Sequence, residues 1–265
     1  MKINQVFEIL QQAGGGRAAR IITENIKKIS WIRTRWMAYQ LRQGVPVAKI
    51  IHQKWFFGLK FYTDRNTLDP RPDTETLVSA VVSDCVLETG PNILDLGTGT
   101  GCIICALCKN IVGARGVGVD KSWRALRVAR RNIRCLGLGA KIRTVRASFN
   151  QAHDFGEKFD VIVSNPPYIA RGDARVDVGA SWDPGVALYA DNNGLAAYES
   201  IAKNATGWIK LCGKMYLEIG EGQGDDVKSI FVNRGWAFVR AECDLAGVER
   251  VLVFEWGNNE TINRC

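Results

Sequence analysis

The sequence predicts an α/β fold with a mostly parallel sheet, preceded by a small helical unit and a β-hairpin. Three observations carry this. From Thr74 onward, helical stretches alternate with short apolar strand-like runs, the pattern of an α/β domain. A glycine-rich turn, Gly97-Thr98-Gly99-Thr100-Gly101, leads from one such strand into an apolar helix. The first 45 residues instead carry helix punctuation. A length of 265 residues suits one large domain, or one domain with a smaller partner. Hydrophobic residues at 46% and charged residues at 23% are globular proportions and exclude collagen-like, coiled-coil and disordered classes.

The elements follow in order. Asn4 can cap a first helix through Val6, Phe7, Ile9 and Leu10, with Gly14-Gly15-Gly16 as its stop. Ile21, Ile22, Ile26 and Ile29 recur at near-helical spacing. Ser30 can cap a third helix through Trp31, Ile32, Trp36, Met37 and Leu41, ended by Gly44-Val45-Pro46. Lys54 to Thr63 is aromatic-rich around Gly58 and reads as a hairpin of two short strands. The expected division is a helical unit over residues 1–53, a linking hairpin over 54–73 and the α/β domain over 74–265. Within the last, strands are expected at Asn92–Leu96, Arg115–Val119, Lys141–Val145, Phe159–Ser164 and Lys214–Ile219. Two more, Trp236–Ala241 and Arg250–Trp256, should pair antiparallel at the sheet edge and bring the count to seven.

Charge is unevenly spread. The first 75 residues hold 13 Lys/Arg against 6 Asp/Glu, whereas the rest hold 22 against 21, so nearly all of the net +8 lies at one end. Such a segment suits proximity to RNA or the ribosome, an acidic protein face, or simply solvent. Eight cysteines without framework spacing read as thiols in a reducing compartment rather than disulfides. No apolar run approaches the roughly 18 residues of a spanning helix, and the opening residues lack a signal-peptide core. The expectation is a cytoplasmic protein with no membrane association.

The chemistry-bearing residues sit at strand ends. The glycine-rich turn lies at the carboxyl end of Asn92–Leu96, where α/β sheets bind ligands and where free N–H groups of a helix start can hold an anionic end. A dinucleotide fingerprint would need glycine where Cys102 stands, and a phosphate-binding loop would need Gly-Lys-Ser/Thr. Asp120 ends the next strand 19 positions after Gly101, the place of an acid that accepts from both ribose hydroxyls. Phe159–Ser164 runs into Asn165-Pro166-Pro167-Tyr168. On neighbouring strands, this combination resembles S-adenosylmethionine-dependent methyltransferases that act on planar nitrogens. In that chemistry the Asn165 side-chain oxygen and the Pro166 carbonyl each take one N–H of the target, prolines stiffen the turn, and the Tyr168 ring packs on the flat group.

The resemblance narrows further. Gly44-Val45-Pro46-Val47-Ala48-Lys49-Ile50, the aromatic stretch Trp55–Phe61, Pro70-Arg71-Pro72-Asp73-Thr74-Glu75, Asp183-Pro184 with Ala187-Leu188, and Asp244-Leu245-Ala246-Gly247 with Arg250 are similar to the HemK-type glutamine methyltransferases that modify peptide chain release factors. This implies a Rossmann-like class I methyltransferase fold and methyl transfer to the glutamine of the Gly-Gly-Gln tripeptide. It also implies an N-terminal domain that helps to recognise the protein substrate. By the same resemblance, Gly97, Thr98, Gly99, Thr100 and Gly101 would hold the methionine moiety of S-adenosylmethionine, Asp120 the ribose and Phe149 the adenine. Asn165, Pro166, Pro167 and Tyr168 would hold the glutamine, with Asn165 also touching the cofactor, which leaves as S-adenosylhomocysteine. The chain departs from the family at Ser148, where an acid is usual, at Asp69, where an apolar residue is common, and in a shorter N-terminal domain. Methylation of a ribosomal-protein glutamine or an exocyclic base amine in DNA or RNA uses the same turn, and a cofactor-retaining scaffold is a reading of another class.

Four further features read as structural. Cys102, Cys105 and Cys108 have iron–sulfur spacing but interleave with Ile103, Ile104, Ala106 and Leu107, so core packing is expected and no metal. Lys121 to Arg146 holds nine basic residues and no acid, with Arg124, Arg127, Arg131 and Arg134 on one helical face. That face suits solvent, RNA or an acidic protein. His52 and His153 lack ligand or triad spacing. Arg71 and Glu75 flank a helix start that Asp73 or Thr74 can cap.

Overall fold

The computed structural model describes residues 2–26, 30–85, 90–170, 172 and 182–257. Helix α1 runs from Ile3 to Asn25, α2 from Trp31 to Arg42 and α3 from Val47 to Ile51. Lys2, not Asn4, is the N-cap of α1, with its N–H donating to Gln5 Oε1 at 3.3 Å. The glycine run bends the helix instead of ending it: Gly15 alone leaves helical geometry (φ 82°, ψ 166°), and two helical segments meet there. Ser30 caps α2 as expected, its Oγ accepting from the Arg33 N–H at 3.3 Å. Val6, Leu10, Ala19, Ile22, Met37, Leu41 and Ile50 form a core from these helices alone. Trp31, Ile32, Trp36 and Tyr39 stay exposed on α2.

Strands β1 (Lys54–Phe56) and β2 (Leu59–Phe61) pair as the expected hairpin. Its turn, Phe57-Gly58, has positive φ at both residues (47° and 70°), the twist a two-residue hairpin needs. The Glu75 carboxylate fastens it to α4 (Thr74–Asp84) by accepting from the Phe57 N–H at 2.8 Å.

The large sheet comprises β3 (Asn92–Leu96), β4 (Arg115–Asp120), β5 (Ile142–Arg146), β6 (Phe159–Ser164), β9 (Ile209–Glu218), β10 (Trp236–Cys243) and β11 (Glu249–Trp256). Two-residue strands β7 (Ile169–Ala170) and β8 (Tyr189–Ala190) pair separately. The order is β10-β11-β9-β6-β3-β4-β5, parallel from β9 to β5, with β11 antiparallel to both neighbours. Strand β9 begins five residues before the expected Lys214, because a bulge with Cys212 at φ 59° lets the strand resume pairing with β6. Helix α5 (Cys102–Asn110) and α4 cover one face, and α7 (Ala196–Asn204) and α8 (Gly224–Val232) the other. Cys102, Cys105 and Cys108 are buried in the first of these cores, where burial pushes the Cys102 and Cys108 thiols up to about 12. Cys212 is disulfide-bonded, a departure from the expectation of thiols throughout. Among the described residues, no helix is long and apolar enough to cross a membrane.

One buried cation joins the small helices to the rest. Lys49 of α3, 7% exposed, lies 2.7 Å from Asp69 and 2.9 Å from Asp183, and donates to the carbonyl oxygens of Asp64 and Thr67. Arg71 pairs with Asp183 at 2.8 Å from the other side. Asp69 is therefore one of the two acids that pair with this buried lysine. Removing one member of such a pair leaves an uncompensated buried charge. Lys49→Ala should lower unfolding stability in urea by about 3–5 kcal/mol; a loss below about 1 kcal/mol would show that water reaches both acids.

Candidate active site

The site starts from the turn after β3. The Gly97 and Thr98 N–H groups both donate to the Val119 carbonyl at 2.8 Å, which binds the turn to β4. This double contact needs φ 77° at Gly97, a conformation open to glycine. The Thr98 hydroxyl donates to Asp95 Oδ2 at 2.6 Å beneath the turn. Gly118 lets β4 pass under it, since a Cβ there would lie 2.9 Å from Thr98 Oγ1. Thr100 is buried, its carbonyl accepting from Asn132 Nδ2 at 2.9 Å, and Gly101 is the N-cap of α5. Asn132, on α6 (Trp123–Cys135), also bonds the backbone of Tyr62, so the hairpin segment and the turn share one anchor.

Asp120 follows Val119 directly. Its Oδ2 accepts from the Gly99 N–H at 3.1 Å and its Oδ1 from the Ser122 N–H at 2.8 Å, which leaves each oxygen a free lone pair. Burial raises its pKa, and those two N–H groups oppose the rise. Gly97, Gly99, Asp120, Phe149, Asn165 and Pro167 line a single cleft. Its remaining wall comes from Asn66 to Leu68, Lys121, Ser122, Ala125, Ala147, Ser148, Pro184, Val186 and Ala187, none of which sequence reasoning placed in the site apart from Ser148. Ser148 turns inward on its own loop, accepting from the Asn150 N–H at 3.2 Å.

Asn165 ends β6, with its Nδ2 donating to Thr74 Oγ1 at 3.1 Å. Tyr168 turns away from the cleft lining, its hydroxyl 3.5 Å from Glu218 Oε1 and its carbonyl accepting from Gln223 Nε2 at 3.1 Å. Glu218, at the carboxyl end of β9, was not singled out from sequence. The available signal was an acid closing the apolar run Met215-Tyr216-Leu217. Burial pushes its carboxyl up to about 7; Asp73 adds to the rise, while the Thr74 hydroxyl, Arg250 and Tyr168 oppose it. Thr74 accepts from Asn165 instead of capping α4, and Asp73 provides no side-chain cap either but lies 3.6 Å from Arg250.

The features read as structural have structural partners. His52 Nδ1 lies 3.1 Å from the Thr63 carbonyl, and His153 packs edge-on against Phe155. Arg131 stacks 3.6 Å over Tyr62, and Arg124 and Arg127 lie over Trp123. Among the described residues, no group of three or more His, Cys, Asp or Glu side chains could hold a metal ion.

The methyltransferase small domain model matches residues 67–182. The release factor glutamine methyltransferase of Burkholderia pseudomallei is 36% identical over 250 residues, covering 91% of this chain and 88% of that protein. The chain belongs to the release factor glutamine methyltransferase family. The Agrobacterium fabrum member is 40% identical over 223 residues, covering 80% of this chain and 75% of that protein. Among solved structures, a methyltransferase from Pyrococcus furiosus shares the fold, with a TM-score of 0.56 at 18% identity, covering 77% of this chain and 91% of the other.

The buried acids make a release factor glutamine methyltransferase of this sequence sensitive to pH. Burial raises Asp95 and Glu218 to about 7 each, above their unfolded values of 3.8 and 4.5. Between about pH 4.5 and 7 the folded protein therefore keeps protons that the unfolded chain releases, and stability falls as pH rises across that window. The urea midpoint should drop from pH 5 to pH 7.5, and Asp95→Asn should make the drop shallower. A midpoint that rises over this range would contradict the burial of both acids.

Proposed function

We propose that this protein transfers a methyl group from S-adenosylmethionine to the side-chain amide nitrogen of the glutamine in the Gly-Gly-Gln motif of peptide chain release factors. The observation that carries the reading is that Asn165, the Gly97 turn and Asp120 line one cleft. The relatives at 36% and 40% identity bear the name of that activity. The residues present also fit the cofactor. A Cβ at Gly97 would reach to 4.0 Å from both Phe149 and the Asn165 carbonyl, so glycine keeps open the space between a flat aromatic face and the Asn165 turn. Asp120 retains acceptors for two ribose hydroxyls, and Phe149 offers a face for adenine.

Bound S-adenosylmethionine supplies an electrophilic methyl on a sulfonium and leaves as S-adenosylhomocysteine. The chain's own task is orientation. An amide nitrogen is a poor nucleophile because its lone pair is delocalised, so the amide plane must be fixed. Asn165, its Nδ2 given to Thr74, presents Oδ1 as acceptor for one target N–H, and the Pro166 carbonyl takes the other. Pro166 and Pro167 stiffen the turn. Positioning of this kind is worth up to roughly 7–11 kcal/mol of barrier. No strong base is required, because the methylated nitrogen is far more acidic than the amide it came from. The exposed Trp31, Ile32, Trp36 and Tyr39 of α2, with Arg35 stacked 4.5 Å over Trp31, form the face we assign to the protein substrate.

Mass spectrometry of unmodified release factor after incubation with the protein and S-adenosylmethionine should find one added methyl on the Gly-Gly-Gln glutamine. Methylation of ribosomal protein or nucleic acid instead would reassign the substrate. Asp120→Ala should weaken cofactor binding in calorimetry by about 1.5–3 kcal/mol, and unchanged affinity would remove Asp120 from the site. Asn165→Ala should bind cofactor nearly as the parent does yet lose turnover; substantial residual methylation would contradict the two-acceptor arrangement.

A further inference from the structure

Two turns must meet across the transferred methyl, the one that starts at Gly97 holding the cofactor and the one that starts at Asn165 holding the target amide. Each leaves the sheet after the last paired residue of its strand, Leu96 of β3 and Ser164 of β6. From there the two chains are drawn apart, because Gly97 and Thr98 donate to Val119 of β4 whereas the Asn165 side chain donates to Thr74 of α4. Strand pairing brings both turns to one edge, but it stops where the gap begins and cannot set its width. We infer that Ser164 is a positioning residue that sets the distance between the cofactor turn and the target turn. The inference rests on the methyl-transfer reading above and extends it to a fully buried residue that touches neither ligand.

The Ser164 hydroxyl donates to the Leu96 carbonyl at 2.7 Å, a side-chain bond laid across the last register pair of the two strands. That carbonyl and the Gly97 N–H belong to one rigid peptide plane. The plane that leads from β3 into the cofactor turn is therefore gripped at both ends, by Ser164 on the β6 side and by the Val119 carbonyl on the β4 side. Leu96 and Ser164 are both 0% exposed, so water cannot stand in for either partner. On the other strand, Ser164 is the residue directly before Asn165, and the same bond ties the start of the target turn to the start of the cofactor turn. The space between them is narrow: a Cβ on Gly97 would lie 4.0 Å from the Asn165 carbonyl oxygen.

Each half of the site is otherwise built without the serine. Asp120 is held by the Gly99 and Ser122 N–H groups, the Thr98 hydroxyl by Asp95, and the Asn165 amide by Thr74. Loss of the serine hydroxyl leaves those contacts standing and removes the link between them. In-line methyl transfer needs the reacting atoms roughly 3–3.5 Å apart and aligned, and a displacement of about 1 Å can cost a hundred-fold in rate. The consequence is selective: the chemical step depends on Ser164, and the binding of either partner does not.

The test uses the full chain. In single turnovers with release factor and S-adenosylmethionine, Ser164→Ala should slow methyl transfer about ten- to hundred-fold, with the parental cofactor Kd and release-factor KM. Ser164→Cys, nearly the same size but a weaker donor, should fall between the two. Ile162→Val, which removes one buried methyl from the same strand and leaves the bond alone, should lower the urea midpoint and keep the parental rate. A second probe reads the spacing without turnover: a bisubstrate analogue in which a two-carbon link joins the sulfur position of S-adenosylhomocysteine to a glutamine side-chain amide. The parent should bind it more tightly than S-adenosylhomocysteine, and Ser164→Ala should lose about ten-fold of that advantage while binding S-adenosylhomocysteine as the parent does. Parental single-turnover rate in Ser164→Ala, or no preference for the analogue in the parent, would overturn the inference. A Ser164-dependent preference in a protein that methylates no release factor would sink the functional reading and leave the spacing role standing.

Discussion

The Val119 carbonyl, taking the N–H groups of both Gly97 and Thr98, is the contact on which the site's geometry depends. It locks the loop after one strand to the end of the next. Asp120, the following residue, is held by the Gly99 N–H in return. Loop and carboxylate therefore cannot move independently, and β6, pairing β3 on its other side, brings Asn165 to the same edge by register alone. Parallel strands with a common direction end together, so their terminal residues meet without any residue being placed for that purpose.

The buried charges follow a different logic. Lys49, Asp69 and Asp183 satisfy one another and serve attachment, whereas Asp95 and Glu218 lie beneath the site with burial working against their ionised forms. A buried ion pair rarely adds stability over apolar packing, and a buried acid without a cation detracts from it as pH rises. Asp95 sits beneath the glycine turn and Glu218 beside Tyr168 of the Asn165 turn. The molecule gives up stability where it needs polar groups of fixed direction.

Much of this was legible in the sequence because it is local. Strand runs, the glycine turn, Asp120 at its spacing and the Asn165 turn are each written in a few consecutive residues, and the hairpin showed in its aromatic alternation around Gly58. What escaped was long-range. Thr74 reads as a helix cap until Asn165 arrives from 91 positions away, and Glu218 reads as the polar end of a strand. Pro184 and Ala187 stood out only as part of a resemblance, and only folding shows that they line the cleft. Gly14-Gly15-Gly16 misled because three glycines promise a stop, yet only Gly15 departs from helical geometry. The bulge at Cys212 lengthened β9 back to Ile209, across a break in pairing that a run of residues does not show.

Lys49 also bears on how freely this architecture can be recombined. It fixes the carbonyl of Thr67, and Asn66 to Leu68 form one wall of the cleft; it fixes Asp183, and Pro184 to Ala187 form another. The helices that precede the sheet are thus structural members of the pocket they do not touch. A chimera that exchanged them at a sequence boundary near the hairpin would keep every residue of the glycine turn and still lose the fastening of two walls. Modularity here ends where the ion pairs cross the joint, not where the composition changes.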